Sequence, residues 1–94
     1  MSVYVDSMMI CIRNKNWPYK EACHLMADTR RELHVFAQSI GLKRTWFQNK
    51  TMPHYDLTKN RRRLAVRQGA IEIDQKQFVA LLRKQRIKCV TKTT

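Results

Sequence analysis

Glycine and proline are scarce, at two residues each in a chain of 94, and cysteine occurs three times. Gly41 and Gly69 alone cannot build a phosphate-cradling P-loop or a Gly-x-Gly-x-x-Gly dinucleotide turn, and no Gly-x-Ser-x-Gly elbow is present. Cys11, Cys23 and Cys89 are odd in number and lack Cys-x-x-Cys spacing, which argues against a zinc ribbon or a disulfide framework and suits a reducing cytoplasm. Cys23 adjoins His24, but neighbours on a strand point to opposite faces, so they do not form a nucleophile and its base. No apolar run nears the ~20 residues of a membrane helix. Met1 to Arg13, interrupted by Asp6 and lacking a basic start or a cleavage site, is not expected to be a signal peptide. Acidic residues are few, seven against 19 Lys and Arg, which leaves a formal charge of +12. A chain of this length holds one core and no deep interlobe cleft, so a large multi-substrate enzyme is excluded and residues 1–94 are expected to form one domain.

What is present reads as an alternation of strands and helices. Val3 and Val5 alternate with Tyr4 and Asp6, predicting a first strand that ends near Asp6, and Ala22 to Ala27 predicts a second. Thr29 and Glu32 have capping-box spacing, and Leu33, Phe36, Ala37 and Ile40 share one helical face, with Gly41 as the stop. Thr45, Trp46 and Phe47 predict a third strand, followed by a turn-rich loop over Asn49 to Pro53. A second helix is expected from Asp56 or Thr58 to before Gly69, a short strand over Ala70 to Ile73, and a third helix opened by Asp74 and Gln77. Residues 87–94 read as an edge strand or a frayed tail. The order β-β-α-β-α-β-α predicts a small α/β domain on a four-stranded, largely parallel or mixed sheet. The connection from Arg13 to Lys20 carries no helix pattern, so the first two strands can also be antiparallel.

The elements Val3-Tyr4-Val5-Asp6, Cys23-His24-Leu25-Met26-Ala27-Asp28, Glu32-Leu33-His34, Trp46-Phe47-Gln48 and His54-Tyr55-Asp56 follow one another in an order that resembles a family of short bacterial and tailed-phage proteins known only as a domain of unknown function. The resemblance runs from Ser2 to about Ile73 and implies candidate positions without an assigned chemistry. Many members carry a Gly-Arg pair in the first loop, where this chain has Arg13-Asn14-Lys15-Asn16.

Each of the three histidines lies close to an acid: His24 to Asp28, His34 to Glu32, and His54 to Asp56. In a parallel sheet, Asp28, the His54 to Asp56 triplet and Asp74 would share the carboxyl edge where ligands gather, and Asp6 would join them. His24 would then stand about 13 Å from Asp28. If the first two strands form a hairpin, Asp6 and His24 meet at the opposite edge instead. Asp6, His24, Asp28, His54 and Asp56 are the candidate catalytic residues, and Asp6, Asp28, His54 and Asp56 the candidate ligands of a divalent ion. An oxygen-rich set suits Mg²⁺ or Mn²⁺ and phosphodiester cleavage. The competing reading makes Asp28, Asp56 and Asp74 helix-capping acids and His34 a packed or surface residue.

Lys59, Arg61, Arg62, Arg63 and Arg67 crowd the second helix, and Arg83, Lys84, Arg86, Lys88 and Lys92 the C-terminus. Such density repels itself unless a polyanion neutralises it, and guanidinium forks match phosphate oxygens. Trp17, Tyr19, Trp46 and Tyr55 could stack on unpaired bases. No helix-turn-helix, zinc-finger or RNP signature is present, so backbone phosphates of DNA or RNA rather than a base sequence are the expected partner. The alternatives are a non-catalytic modulator, such as a phage-encoded one, that grips an acidic protein surface, and a nucleotide-handling enzyme.

Overall fold

Period-two alternation builds a sheet with two different faces. The computed structural model describes residues 2–10, 17–50 and 52–93, with side chains described through residue 84. Strand β1 (Val3–Val5) and the two-residue β2 (Met9–Ile10) both run antiparallel to β3 (Glu21–Ala27). Helix α1 (Arg30–Ser39), β4 (Tyr55–Leu57), α2 (Lys59–Arg67), β5 (Ile71–Glu72) and α3 (Gln75–Thr93) follow. β4 is antiparallel to β3, and β5 joins the free side of β1 in the one parallel pairing among the described residues. The sheet is mixed, as expected, but it has five strands rather than four and is mostly antiparallel. With no helix between β1 and β3, a parallel crossover had no means of forming.

The register slips by one residue along β3: Val5 faces Leu25, whereas Met9 faces Ala22. The extra residue is taken up between Asp6 and Met8 as a bulge, which bends the strand and re-aims its side chains. Asp6 lies at this point.

One face of the sheet carries Val5, Cys23, Leu25, Tyr55 and Leu57, all buried, against Leu33 and Ala37 of α1, its C-cap Ile40, and Ala65 of α2. Each large apolar side chain sealed there contributes about 1.5–3 kcal/mol. The other face carries Tyr4 and Met26 and is covered by Met52, Ile73 and, from α3, Phe78, Leu81 and Leu82. Cys23 and His24 therefore face opposite ways, and burial pushes the Cys23 thiol up to about 12.

Helix limits follow side-chain chemistry. Thr29 Oγ1 accepts from Glu32 N–H at 3.2 Å and donates to Glu32 Oε1 at 2.9 Å, and Gly41 takes φ +83 past the end of α1. Asp74 and Gln77 cap α3 reciprocally at 2.8 and 2.9 Å. Thr58, not Asp56, caps α2, because His54 to Leu57 alternates and Tyr55 and Leu57 bury into the α1/α2 layer as β4. Thr45 to Phe47 is not a strand: Arg44–Trp46 forms a single 3-10 turn, closed by Phe47 N–H to Arg44 O at 3.1 Å, on an exposed segment. Residues 87–93 are helical, not an edge strand, since α3 meets no glycine or proline after its cap; Thr94 lies outside the described residues. No helix among the described residues is long and apolar enough to cross a membrane.

Candidate metal centre

On the α3-covered face, β3 and β4 place His24 directly opposite Asp56, and β1 places Asp6 beside His24 on the other side. The hairpin alternative is thus the one realised. At the bulge, the Asp6 carboxylate takes over the partner role of its own carbonyl. Oδ1 accepts His24 N–H at 2.6 Å and Oδ2 accepts the Nδ1–H of the ring at 2.7 Å. The displaced Asp6 carbonyl accepts Arg62 Nε–H at 2.8 Å, and Arg62 also pairs with Glu72 at 2.9 Å. Asp6 is only 5% exposed.

His54 donates Nδ1–H to the Met52 carbonyl at 2.7 Å, and Gln48 donates its side-chain amide to Asp56 Oδ2. These bonds leave Nε2 of His24, Nε2 of His54 and Oδ1 of Asp56 as the free donor atoms. His54 Nε2 and Asp56 Oδ1 are 3.6 Å apart, and one ligand atom from each of the three residues lies within 4.8 Å of the others. Tetrahedral bonds of about 2.1 Å would need donors about 3.4 Å apart, so a small closure suffices. The His24 ring stacks on Phe78 at 5.3 Å and meets the His54 ring edge-on at 4.8 Å.

The two imidazoles are tuned in opposite directions. The hydrogen bond that His24 donates to the Asp6 carboxylate raises the His24 pKa against the effect of burial, while burial lowers that of His54 despite the Met52 carbonyl. His54, 8% exposed, is therefore neutral at physiological pH with its Nε2 lone pair available. The Asp56 side chain is 30% exposed and that of His24 25%, so the group is open to solvent on one side.

The arrangement brings together two of the four expected ligands, His54 and Asp56, with His24 as the third member. His24, His54 and Asp56 converge, whereas Asp6 stands behind His24 with both carboxylate oxygens engaged. Asp28 is at the far end of β3, accepting Ser2 N–H at 2.9 Å and Tyr4 O–H at 3.1 Å, and is not part of the group. Gln48, the Met52 carbonyl and Phe78 complete it; Gln48 stood in the Trp46-Phe47-Gln48 element, while Met52 and Phe78 carried no signal for the site in the sequence. His34 is elsewhere, its Nδ1 2.8 Å from the Tyr55 hydroxyl.

The basic residues divide as well. Arg63, Arg67 and Lys59 are exposed on α2, and Lys76, Arg83 and Lys84 on α3. Arg62 is engaged as described, and Arg61 donates to the Ile40 carbonyl, so neither guanidinium is free. The side chains of Arg86, Lys88 and Lys92 lie outside the described residues. Tyr55 is sealed in the core and cannot stack on a base; Trp46 is exposed beneath Lys43, and Trp17 meets Tyr19 edge-on at 5.2 Å.

Fold and site together define a small mixed α/β protein with a two-histidine, one-carboxylate group set on its sheet. The chain belongs to the family described as protein of unknown function (DUF4031), whose model matches residues 3–85. No match was found among curated proteins or among solved structures.

Proposed function

We propose that the protein binds a divalent transition-metal ion through His24, His54 and Asp56 and acts on phosphate esters of nucleic acid. One observation carries the reading: every one of the three donors has its non-ligating atom held by a partner, His24 by Asp6, His54 by the Met52 carbonyl and Asp56 by Gln48. Such outer bonds fix the tautomer and aim of metal ligands, and a purely structural cluster has no need of all three. Two imidazoles favour Mn²⁺, Fe²⁺ or Zn²⁺ over Mg²⁺, which prefers oxygen alone. Three protein donors with an open side match catalytic rather than structural sites. When bound, the ion supplies a Lewis acid that polarises a phosphoryl oxygen. The charge of +12 and the exposed Lys76, Arg83 and Lys84 on α3, the helix lying over the same sheet face, support a polyanionic substrate. The buried free thiol of Cys23 supports a cytoplasmic setting.

Thermal melting with EDTA, Mg²⁺, Mn²⁺ and Zn²⁺ tests the site. An ion at a hundred times its Kd stabilises the wild type by about 2.7 kcal/mol, a rise on the order of 10 °C. Mn²⁺ and Zn²⁺ should produce this rise and Mg²⁺ should not. His24→Ala, His54→Ala and Asp56→Asn should lose it, while Asp28→Asn keeps it. A flat response of the wild type to all three ions refutes the metal site. Cleavage of single-stranded DNA and RNA with the stabilising ion, lost in the same variants, tests the chemistry.

A further inference from the structure

The turn that replaces the expected third strand is a basic segment ending in an aromatic residue. Lys43, Arg44, Thr45 and Trp46 are all exposed, and Trp46 keeps 49% of its surface in solvent. Lys43 Nζ stands 5.7 Å from the centroid of the Trp46 ring, within cation–π range. The turn is held in place without the help of the indole. Trp46 N–H donates to Lys43 O at 2.9 Å and Phe47 N–H to Arg44 O at 3.1 Å, while the Phe47 ring packs at 4.5 Å on His34 and 5.6 Å on Tyr55. Neither Lys43 nor Arg44 is in an ion pair among the described residues, and no Asp or Glu occurs between Glu32 and Asp56. The segment leads directly to the candidate metal group. Gln48, whose amide holds Asp56 and whose backbone pairs with His54, comes two residues after Trp46, a span of at most about 7 Å between Cα atoms.

We propose that Trp46 is a stacking platform for an unpaired base, with Lys43 and Arg44 on the flanking phosphates, so that the polyanion brought to His24, His54 and Asp56 is a single strand. The inference rests on the nucleic-acid reading above and narrows its substrate class. An exposed tryptophan alone is ordinary on a protein surface. Here it stands with two cations that no carboxylate neutralises, beside the segment that carries Gln48, and an aromatic face joined to positive charge is what a single strand requires. A duplex offers the turn only its phosphates, because its base faces are covered by their stacked neighbours. Lys43 lies over one side of the indole and leaves the other to the base, and every base has a π-face, so no sequence preference follows.

The test uses the full chain in EDTA, so its outcome does not depend on the ion, and the melting series above decides the metal site separately. The chain has two tryptophans, so fluorescence of the Trp17→Phe variant reports Trp46 alone. A short oligothymidylate or oligouridylate, which separate DNA from RNA as the source of the strand, should quench it, and a duplex of equal length should not. Trp46→Ala should bind the single strand roughly five- to a hundredfold more weakly and the duplex as the wild type does, and Trp46→Phe should recover most of the loss. Lys43→Ala with Arg44→Ala should lower the magnitude of the log Kd against log salt slope on the single strand by about 1.4. An unchanged slope overturns the role of the two cations. Single-strand binding without quenching, or an equal effect of Trp46→Ala on single strand and duplex, overturns the platform while leaving nucleic-acid binding standing. Failure of the wild type to bind any of the three overturns both and points to an acidic protein partner.

Discussion

Asp6→Asn is the most informative single change, because one carboxylate oxygen serves the backbone of His24 and the other its ring, at 2.6 and 2.7 Å. Asparagine has one acceptor oxygen, and its amide nitrogen would face an N–H of His24. One bond to a charged group is lost, at about 1.5–3 kcal/mol, and a donor is left unpaired beside the nearly buried Asp6 position, so the total cost is about 2–4 kcal/mol. Part of that cost depends on pH, and the sign is determined. The Asp6 hydrogen bond raises the folded-state pKa of His24. Its stabilisation is complete below the unfolded value of about 6.5 and is lost as pH rises through the raised folded value. His54, lowered by burial, titrates in both proteins and largely cancels in the difference. Urea denaturation in EDTA from about pH 5.5 to about pH 9 should therefore show the widest gap between wild type and variant at the acid end, narrowing toward the alkaline end. A gap that stays the same at every pH, or one below about 0.5 kcal/mol throughout, would refute the paired arrangement of Asp6 and His24.

Arg62→Ala should destabilise by about 1–3 kcal/mol, since the Asp6 carbonyl loses its donor, whereas exposed Arg63→Ala should stay within about 0.5 kcal/mol in the same urea measurement. Arg63→Glu with Arg67→Glu should weaken duplex DNA binding with an unchanged circular dichroism spectrum, and about five phosphate contacts in the wild type give a log Kd against log salt slope of magnitude near 4.5; a slope near zero would point to a protein partner. Gly41→Ala should cost more than Gly69→Ala in thermal melts. Both positions have positive φ, at +83 and +107, but only at Gly41 would a Cβ come within 2.7 Å of the Arg61 guanidinium, while Gly69 meets nothing within 4 Å.

The signals that were legible in the sequence are local ones. Thr29 with Glu32, Asp74 with Gln77, and the two glycine stops act within one helical turn, and all appear in the structure where their spacing puts them. β4 was hidden because Asp56, three residues before the helical sequence that starts at Lys59, looks like a cap, although Tyr55 and Leu57 alternate with it as a strand requires. Trp46 and Phe47 have strand propensity, but Phe47 N–H closes a 3-10 turn onto the Arg44 carbonyl instead of pairing with a strand, and propensity without a partner does not make a strand. The candidate site depended on the direction of β1. Local pattern leaves that open, and only the pairing of Val5 with Leu25 brings Asp6 to His24 and removes Asp28. Arg61 and Arg62 read in sequence as part of the basic face of α2, yet tertiary contacts with Ile40 and Asp6 claim them.

The order of the three proposed ligands along the chain would give a bound ion a mechanical role. His24 is separated from His54 and Asp56 by roughly thirty residues that include all of α1, and β4 is tied back to β3 through only three residue pairs. An ion bridging the three would act as a removable crosslink across that loop, lowering the entropy of the opened chain in the way a disulfide does, but reversibly and with ion concentration as its control. Amide exchange where β4 pairs with β3, at Tyr55 to Leu57, would then slow as the ion binds, so local protection would report metal occupancy.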